Sequence, residues 1–374
     1  MHPKRQERGF ALVGAVFALV IIAAMVAGGF FAARQEINIG RSTQTYQRAF
    51  DAAEAGLAKR VSLWGTTANF LAVGDSLTYV DTLPNSLGTV TSYVRRLNSE
   101  LFLIRSVGTS GTSSHVLGGV VKLQLIQTQF KASLTTRSSL KIGGSTLIDG
   151  RNTSPSGWGC PPATDTVAAV RTPDSNSISF SGCNNASCLV GNPKIQQDTS
   201  VHDSTFFKFG NLTYADLVAM ANRTYNGNTG PLNTIGPVAA GGQCTTTVQD
   251  NWGEPLHGAG QVSDCYGFFP IIYVSGNLSL TGGRGQGMLL VDGDLKVDGG
   301  FEFFGPVIVR GHFETQGTGG HFTGGVMSAD VDLELNSVLG NAVITYSSCA
   351  ITKALQATAT GRVMRERYWA DLAQ

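Results

Sequence analysis

Charge is what this sequence has least of. Asp, Glu, Lys and Arg together make up 14 % of its 374 residues and the net charge is +1, so nothing in the balance calls for a nucleic acid or an acidic partner. Metal-ligand spacing is missing as well. No Cys-x-x-Cys occurs, and His202, His257, His312 and His321 form no helix-spaced pair, which argues against a metal site. No H-E-x-x-H, P-loop, G-x-S-x-G elbow, dinucleotide fingerprint or EF-hand loop is found either; the expectation is a protein with no cofactor and no catalytic residues. Proline is absent from residues 10–64, so nothing there forces a helix to break.

What that stretch has instead is a long apolar run. Residues 10–33 carry no charge, and as a helix they would reach ~36 Å, enough for a hydrocarbon layer of ~30 Å. Lys4, Arg5 and Arg8 precede the run with Glu7 as the one acid, which orients the short head to the cytoplasm and the rest outside. The run exceeds the ~7–15 apolar residues of a cleaved signal. An apolar stripe then continues beyond it through Tyr46, Phe50, Ala53, Leu57, Val61 and Trp64, predicting one helix of ~80 Å over residues 10–64 whose outer half is packed on something.

The head Glu7-Arg8-Gly9-Phe10-Ala11-Leu12-Val13 resembles the leader of type IV prepilins. The resemblance implies cleavage between Gly9 and Phe10 by a prepilin peptidase, methylation of the new amino terminus, and packing of the remaining helix against other pilins. Arg48 and the following Ala49-Phe50-Asp51-Ala52-Ala53-Glu54-Ala55-Gly56-Leu57 are similar to a stretch of PilX-type minor pilins. Gly14 stands where major pilins carry a glutamate, which points toward a minor or tip-type subunit. The resemblance covers about the first 130 residues. It implies a bacterial inner-membrane protein with its amino terminus in the cytoplasm, partnered by other pilins, a prepilin peptidase and inner-membrane lipid, and displayed in the periplasm or on a surface pilus.

Three alternating runs, 89–97, 101–107 and 116–125, joined by turn formers, predict an antiparallel meander with one face on the helix. Residues 153–260 are rich in Ser, Thr, Asn and Gly, with a short helix over 214–221 capped by Asn211 or Thr213. The six cysteines all follow the apolar run, which suits disulfides in an oxidising compartment. Among about 15 pairings the local candidates are Cys244 with Cys265, and Cys160 with Cys183 or Cys188.

The second half repeats itself. Segments beginning at Val274, Val291, Val309 and Met327 are spaced by 17, 18 and 18 residues. Their first, fifth and seventh positions are apolar apart from Thr315, and their second, fourth and sixth are polar. Constant phase at constant spacing suits coils of a parallel β-helix. Glycine or alanine at the third position (Gly276, Gly293, Gly311, Ala329) would permit a bend, and residues 139–150 are a candidate for a detached coil. A tail helix would cap the stack.

The fold class expected is therefore α+β: a leader (1–9), a membrane-spanning and extended pilin-type helix (10–64), a small antiparallel sheet packed on it (65–135), a Gly/Ser/Asn-rich β region with cysteines (136–260), β-helix-like repeats (261–350), and a terminal helix (351–374). Carboxylates at Asp292, Asp294, Glu314, Asp330 and Asp332, interleaved with Lys296, Arg310 and His312, leave two further possibilities. A membrane-anchored carbohydrate-active enzyme would use two carboxylates across a groove, and Asp292, Asp294 and Asp330 could hold Ca²⁺. A solvated strand face is the reading preferred, with a surface adhesin as a further alternative. Tyr266, Phe268, Phe269 and Trp252 are expected in the core rather than at a ligand.

Overall fold

A computed structural model describes residues 10–84, 88–124, 126, 128, 130–210, 212–330, 335–364 and 369–372. The chain divides into two compact units, Met1–Trp64 with Leu71–Lys122 and Gly361–Gln374, and Gly65–Phe70 with Leu123–Thr360. The division falls after Lys122, short of the boundary expected at 135. Residues 136–260 and 261–350, expected as separate regions, belong to one unit.

In the first unit a single helix, α1, runs Phe10–Ser62. Four antiparallel strands follow in meander order: β1 (Ser76–Leu83), β2 (Gly88–Arg96), β3 (Leu101–Ser110) and β4 (Ser113–Gln124). The predicted runs became β2, β3 and β4. β1 was missed because its alternation, with Asp81 and two threonines, is that of an edge strand with only a half-buried face. The inner face places Val90 opposite Gly108, Ser92 opposite Ser106 and Val94 opposite Ile104, all buried against the outer part of α1.

The tail corrects an expectation. The terminal helix is confined to Ser348–Ala357, and the chain then forms strands Thr360–Val363 and Trp369–Asp371. Both pair with β4, Asp371 lying opposite Leu117. Without them β4 would present an unpaired row of backbone groups, which is the cost that outweighs the helical periodicity of so short a segment. Arg367 and Tyr368 lie outside the described residues.

The second unit is built from two parallel sheets. In one, Ile272, Leu289, Val307, Val326, Leu134, Val170 and Ile195 lie side by side in register on seven adjacent strands. In the other, Leu280, Val297, Thr315, Val338, Ile142 and Phe180 do the same. These columns form one apolar core between the sheets. The first sheet is apolar on its other face too. Met288, Leu290, Ile308 and Met327 there meet the helices Asp203–Phe207, Tyr214–Ala219 and Ser348–Ala357, which explains unbroken apolar runs such as Met288–Val291.

The chain enters this stack in the middle. Strands Ala132–Thr136, Leu140–Gly143 and Leu147–Asp149 pair with Gly320–Ser328, Asn336–Val338 and Val343–Tyr346 near its far end, so residues 139–150 join the repeats in parallel register. The fourth repeat is out of phase by one residue. Met327 pairs with Ile308, and Ser328 with Val309, because the turn before Gly320 is one residue longer than the turn before Phe301. Asn336–Val338, not 331–333, continues that coil; Val331, Asp332 and Leu333 lie outside the described residues. The expected helix at 214 is present as Tyr214–Ala219, with the Thr213 hydroxyl accepting from the Asp216 N–H; Asn211 lies outside the described residues.

Candidate functional site

The helix carries the largest exposed apolar surface. From Leu12 to Ile39 its large side chains are exposed on every side, Phe30 at 77 % and Phe31 at 75 %, and the window is long and apolar enough to cross a membrane. Beyond it the helix is amphipathic, but the buried face is not centred on the expected stripe. Ala49, Ala52, Ala53, Gly56, Leu57 and Arg60 are buried, whereas Tyr46 is 51 % exposed and Phe50 and Val61 are intermediate. Tyr46 and Phe50 set their rings edge-on to His115, at 5.1 and 5.0 Å. The seat is thus turned by less than one residue, ~100°, toward the small side chains.

The reason is backbone approach. A Cβ at Gly108 would lie 2.1 Å from the Ala49 carbonyl oxygen and 2.4 Å from the Ala53 nitrogen, and one at Gly56 would lie 2.3 Å from Val90 Cγ2. Small residues on both surfaces let helix and sheet nearly touch. Asp81 then clamps the end of α1, accepting from Lys59 Nζ at 2.6 Å and Arg60 Nη2 at 2.8 Å. Sequence reading could not find Asp81, since nothing local marks it. Gly9 lies outside the described residues, and Phe10 opens the helix.

The carboxylates of the repeats are occupied by neighbours. Asp292 accepts from Tyr273 at 2.6 Å and Arg310 at 3.2 Å, and this hydrogen bond, with burial, pushes the Tyr273 hydroxyl up to about 12. Asp294 accepts the His312 backbone N–H at 3.0 Å and its ring Nδ1 lies 2.9 Å away. Glu314 lies 3.8 Å from Lys296 Nζ. In the first two repeats the fourth position serves the backbone of the neighbouring coil. Asn228 accepts from the Asn277 N–H, Asn277 from the Asp294 N–H, and Asp294 from the His312 N–H, so Asn and Asp there tie each turn to the next. Asp330 is 1 % exposed and bonded to Ser138 and Asn336; among the described residues no group of His, Cys, Asp and Glu could hold a metal ion.

Trp252 is fully buried, with Nε1–H donating to Tyr225 at 3.0 Å, and Phe269 is buried; Tyr266, which stacks on His257 at 3.8 Å, and Phe268, both expected inside, are only half-buried.

Disulfides join Cys183 to Cys188 and Cys244 to Cys265. Cys160, expected to pair with Cys183 or Cys188, bonds Cys349 instead, 189 residues away. Closeness in sequence misled here because the last coil stacks on the first, bringing the segment after Asp149 beside the helix that starts at Ser348.

Buried Arg171 donates through Nε and Nη2 to Asp198 at 2.9 and 2.7 Å. Hydrogen bonds from Ser200 first, and then from Arg171, hold the Asp198 carboxyl well below the usual range. A depressed carboxylate stabilises the fold above its unfolded value of ~4, and that contribution fades as pH falls through the lower folded value. Asp198→Asn should therefore lower the thermal midpoint at pH 7, and that deficit should shrink progressively as pH falls below about 4; a deficit that does not change between pH 7 and the lowest pH at which the protein stays folded, in thermal melts, would contradict the assignment.

No family model matches the chain, and no curated protein matches it. Among solved structures, the competence-associated pilin ComZ from Thermus thermophilus aligns with 88 % of this chain and 97 % of its own, at 13 % identity and a TM-score of 0.22. A TM-score of that size is too low to establish a shared fold.

Proposed function

We propose that this protein is a pilin-like structural subunit, in the manner of a minor pilin or pseudopilin, of a type IV pilus or a related secretion assembly. In this reading α1 crosses the inner membrane and packs among the helices of other pilins, a prepilin peptidase removes the leader after Gly9, and the β-rich unit is displayed outside the cytoplasm. We read its coils as a β-solenoid, on the support of in-register parallel pairing at advances of 17 to 19 residues (Ile272 to Leu289, Leu289 to Val307, Val307 to Val326). We assign it no catalytic step.

One observation carries the proposal. A single helix keeps its outer third for its own sheet and leaves residues 12–33, which carry no charge, apolar and exposed all round. Lipid would cover ~20 residues of that surface; Ile37 and Ile39 stay exposed beyond it, among Arg34, Glu36 and Arg41, and like helices in a bundle would cover them. Mass spectrometry of the protein isolated from membranes should find an amino terminus at Phe10 carrying one added methyl group. A terminus at any other residue would remove the proposal.

A further inference from the structure

Along the first parallel sheet, the column facing away from the core reads Tyr273, Leu290, Ile308, Met327, Thr135, Arg171 and Gln196. It is apolar where helices cover it and becomes polar at Thr135. Over that change of character lies a cavity of about 330 Å³ whose lining includes Thr128, Lys131, Arg171, Thr205, Lys208 and Met327.

Three observations mark this cavity as one that the described residues leave unfinished. Arg171 is 5 % exposed, and the bonds to Asp198 and Ser200 use Nε and Nη2, leaving Nη1 without a hydrogen bond among the described residues. The hydroxyls of Thr128, in the lining, and of fully buried Thr135, between Met327 and Arg171 in the column, have no partner among those residues. Nor does Lys131 or Lys208 form an ion pair with any of them. An unsatisfied buried hydroxyl costs ~1–3 kcal/mol, so those of Thr128 and Thr135 persist where something completes them. Three cations against the one carboxylate of Asp198 leave a local excess of two positive charges in a chain with few charges to spare.

We propose that this cavity binds a compact dianionic oxyanion, a phosphate or sulfate group, free or as the ester on a small polar molecule. Two ammonium groups and one guanidinium N–H suit tetrahedral oxyanions, hydroxyls fill the remaining acceptor positions, and a volume of about 330 Å³ admits the group with one sugar-sized substituent. The site is independent of α1 and of the assembly proposed above.

The test is calorimetric titration of the full chain in non-ionic detergent with inorganic phosphate, inorganic sulfate and glucose 6-phosphate, against chloride at matched ionic strength. Saturable binding of either inorganic anion is expected, and binding of the sugar phosphate alone would assign the ester as the source. Lys131→Gln with Lys208→Gln, both exposed, should keep the thermal midpoint of the unliganded protein and weaken binding roughly tenfold or more. No saturable binding by any of the three anions, or unchanged affinity in the double variant, overturns the site.

Discussion

Gly108→Val should detach α1 from its sheet. The new Cβ would sit 2.1 Å from the Ala49 carbonyl oxygen and 2.4 Å from the Ala53 nitrogen, and these are backbone atoms, so no rotamer change relieves the clash. Overpacking costs ~1–3 kcal/mol when side chains can adjust; here the helix axis itself must move, and the expected result is loss of the first unit's tertiary structure with α1 still helical. Limited proteolysis should cut within β1–β4, and near-ultraviolet dichroism should fall while the helical signal remains. Gly40→Ala is the control, because nothing lies within 4 Å of that Cβ, and it should be neutral or stabilising by ~0.5–1 kcal/mol. Equal stability of Gly108→Val and wild type would refute the close approach of helix and sheet.

Removing Arg284 should be about as damaging in the second unit. Glu254 is fully buried and accepts two bonds from Arg284, at 2.8 and 2.7 Å, and two from the backbone N–H groups of Leu256 and Val262. Arg284→Met leaves that carboxylate charged and buried with half its partners, a loss on the order of 3–5 kcal/mol. Adding Glu254→Gln should restore part of it, since the neutral amide leaves no buried charge and its single oxygen keeps one of the two backbone donors, which bond different carboxylate oxygens in the wild type. Urea midpoints of the single and double variants check this; a double variant no better than Arg284→Met would show that the pair acts through something other than its buried charge.

The legibility of this protein varied with the range of the interaction. Local periodicity located α1, the three inner strands of the meander and the coil phase of Val274, Val291 and Val309, because each is decided by the burial of neighbouring side chains. It failed at Met327, where one extra turn residue shifted the register, and at the tail, where helical spacing lost to the pairing needs of β4. It also ranked Tyr46 and Phe50 above Ala49, Ala52 and Gly56 as the packing face, since a hydrophobic stripe weighs size, whereas two backbones approach most closely where side chains are smallest. Of the carboxylates, their number was visible and their partners were not. Asp292 belongs to Tyr273 and Arg310, Asp294 to a turn of the next coil, and Asp330 to a buried contact with Ser138, 192 residues earlier in the chain.

The order of residues by itself determined a membrane-length apolar helix, a small antiparallel sheet beside it, and a repeating β unit with oxidised cysteines to follow. Each depends on side chains within about one turn, strand or coil of one another. Tertiary structure decided that the chain enters its stack in the middle and closes it by laying residues 320–346 against residues 132–149, that Cys160 meets Cys349, and that Lys131, Arg171 and Lys208 share one cavity. These are meetings between segments far apart in sequence, fixed by register and loop length across the whole fold, and no local pattern encodes them.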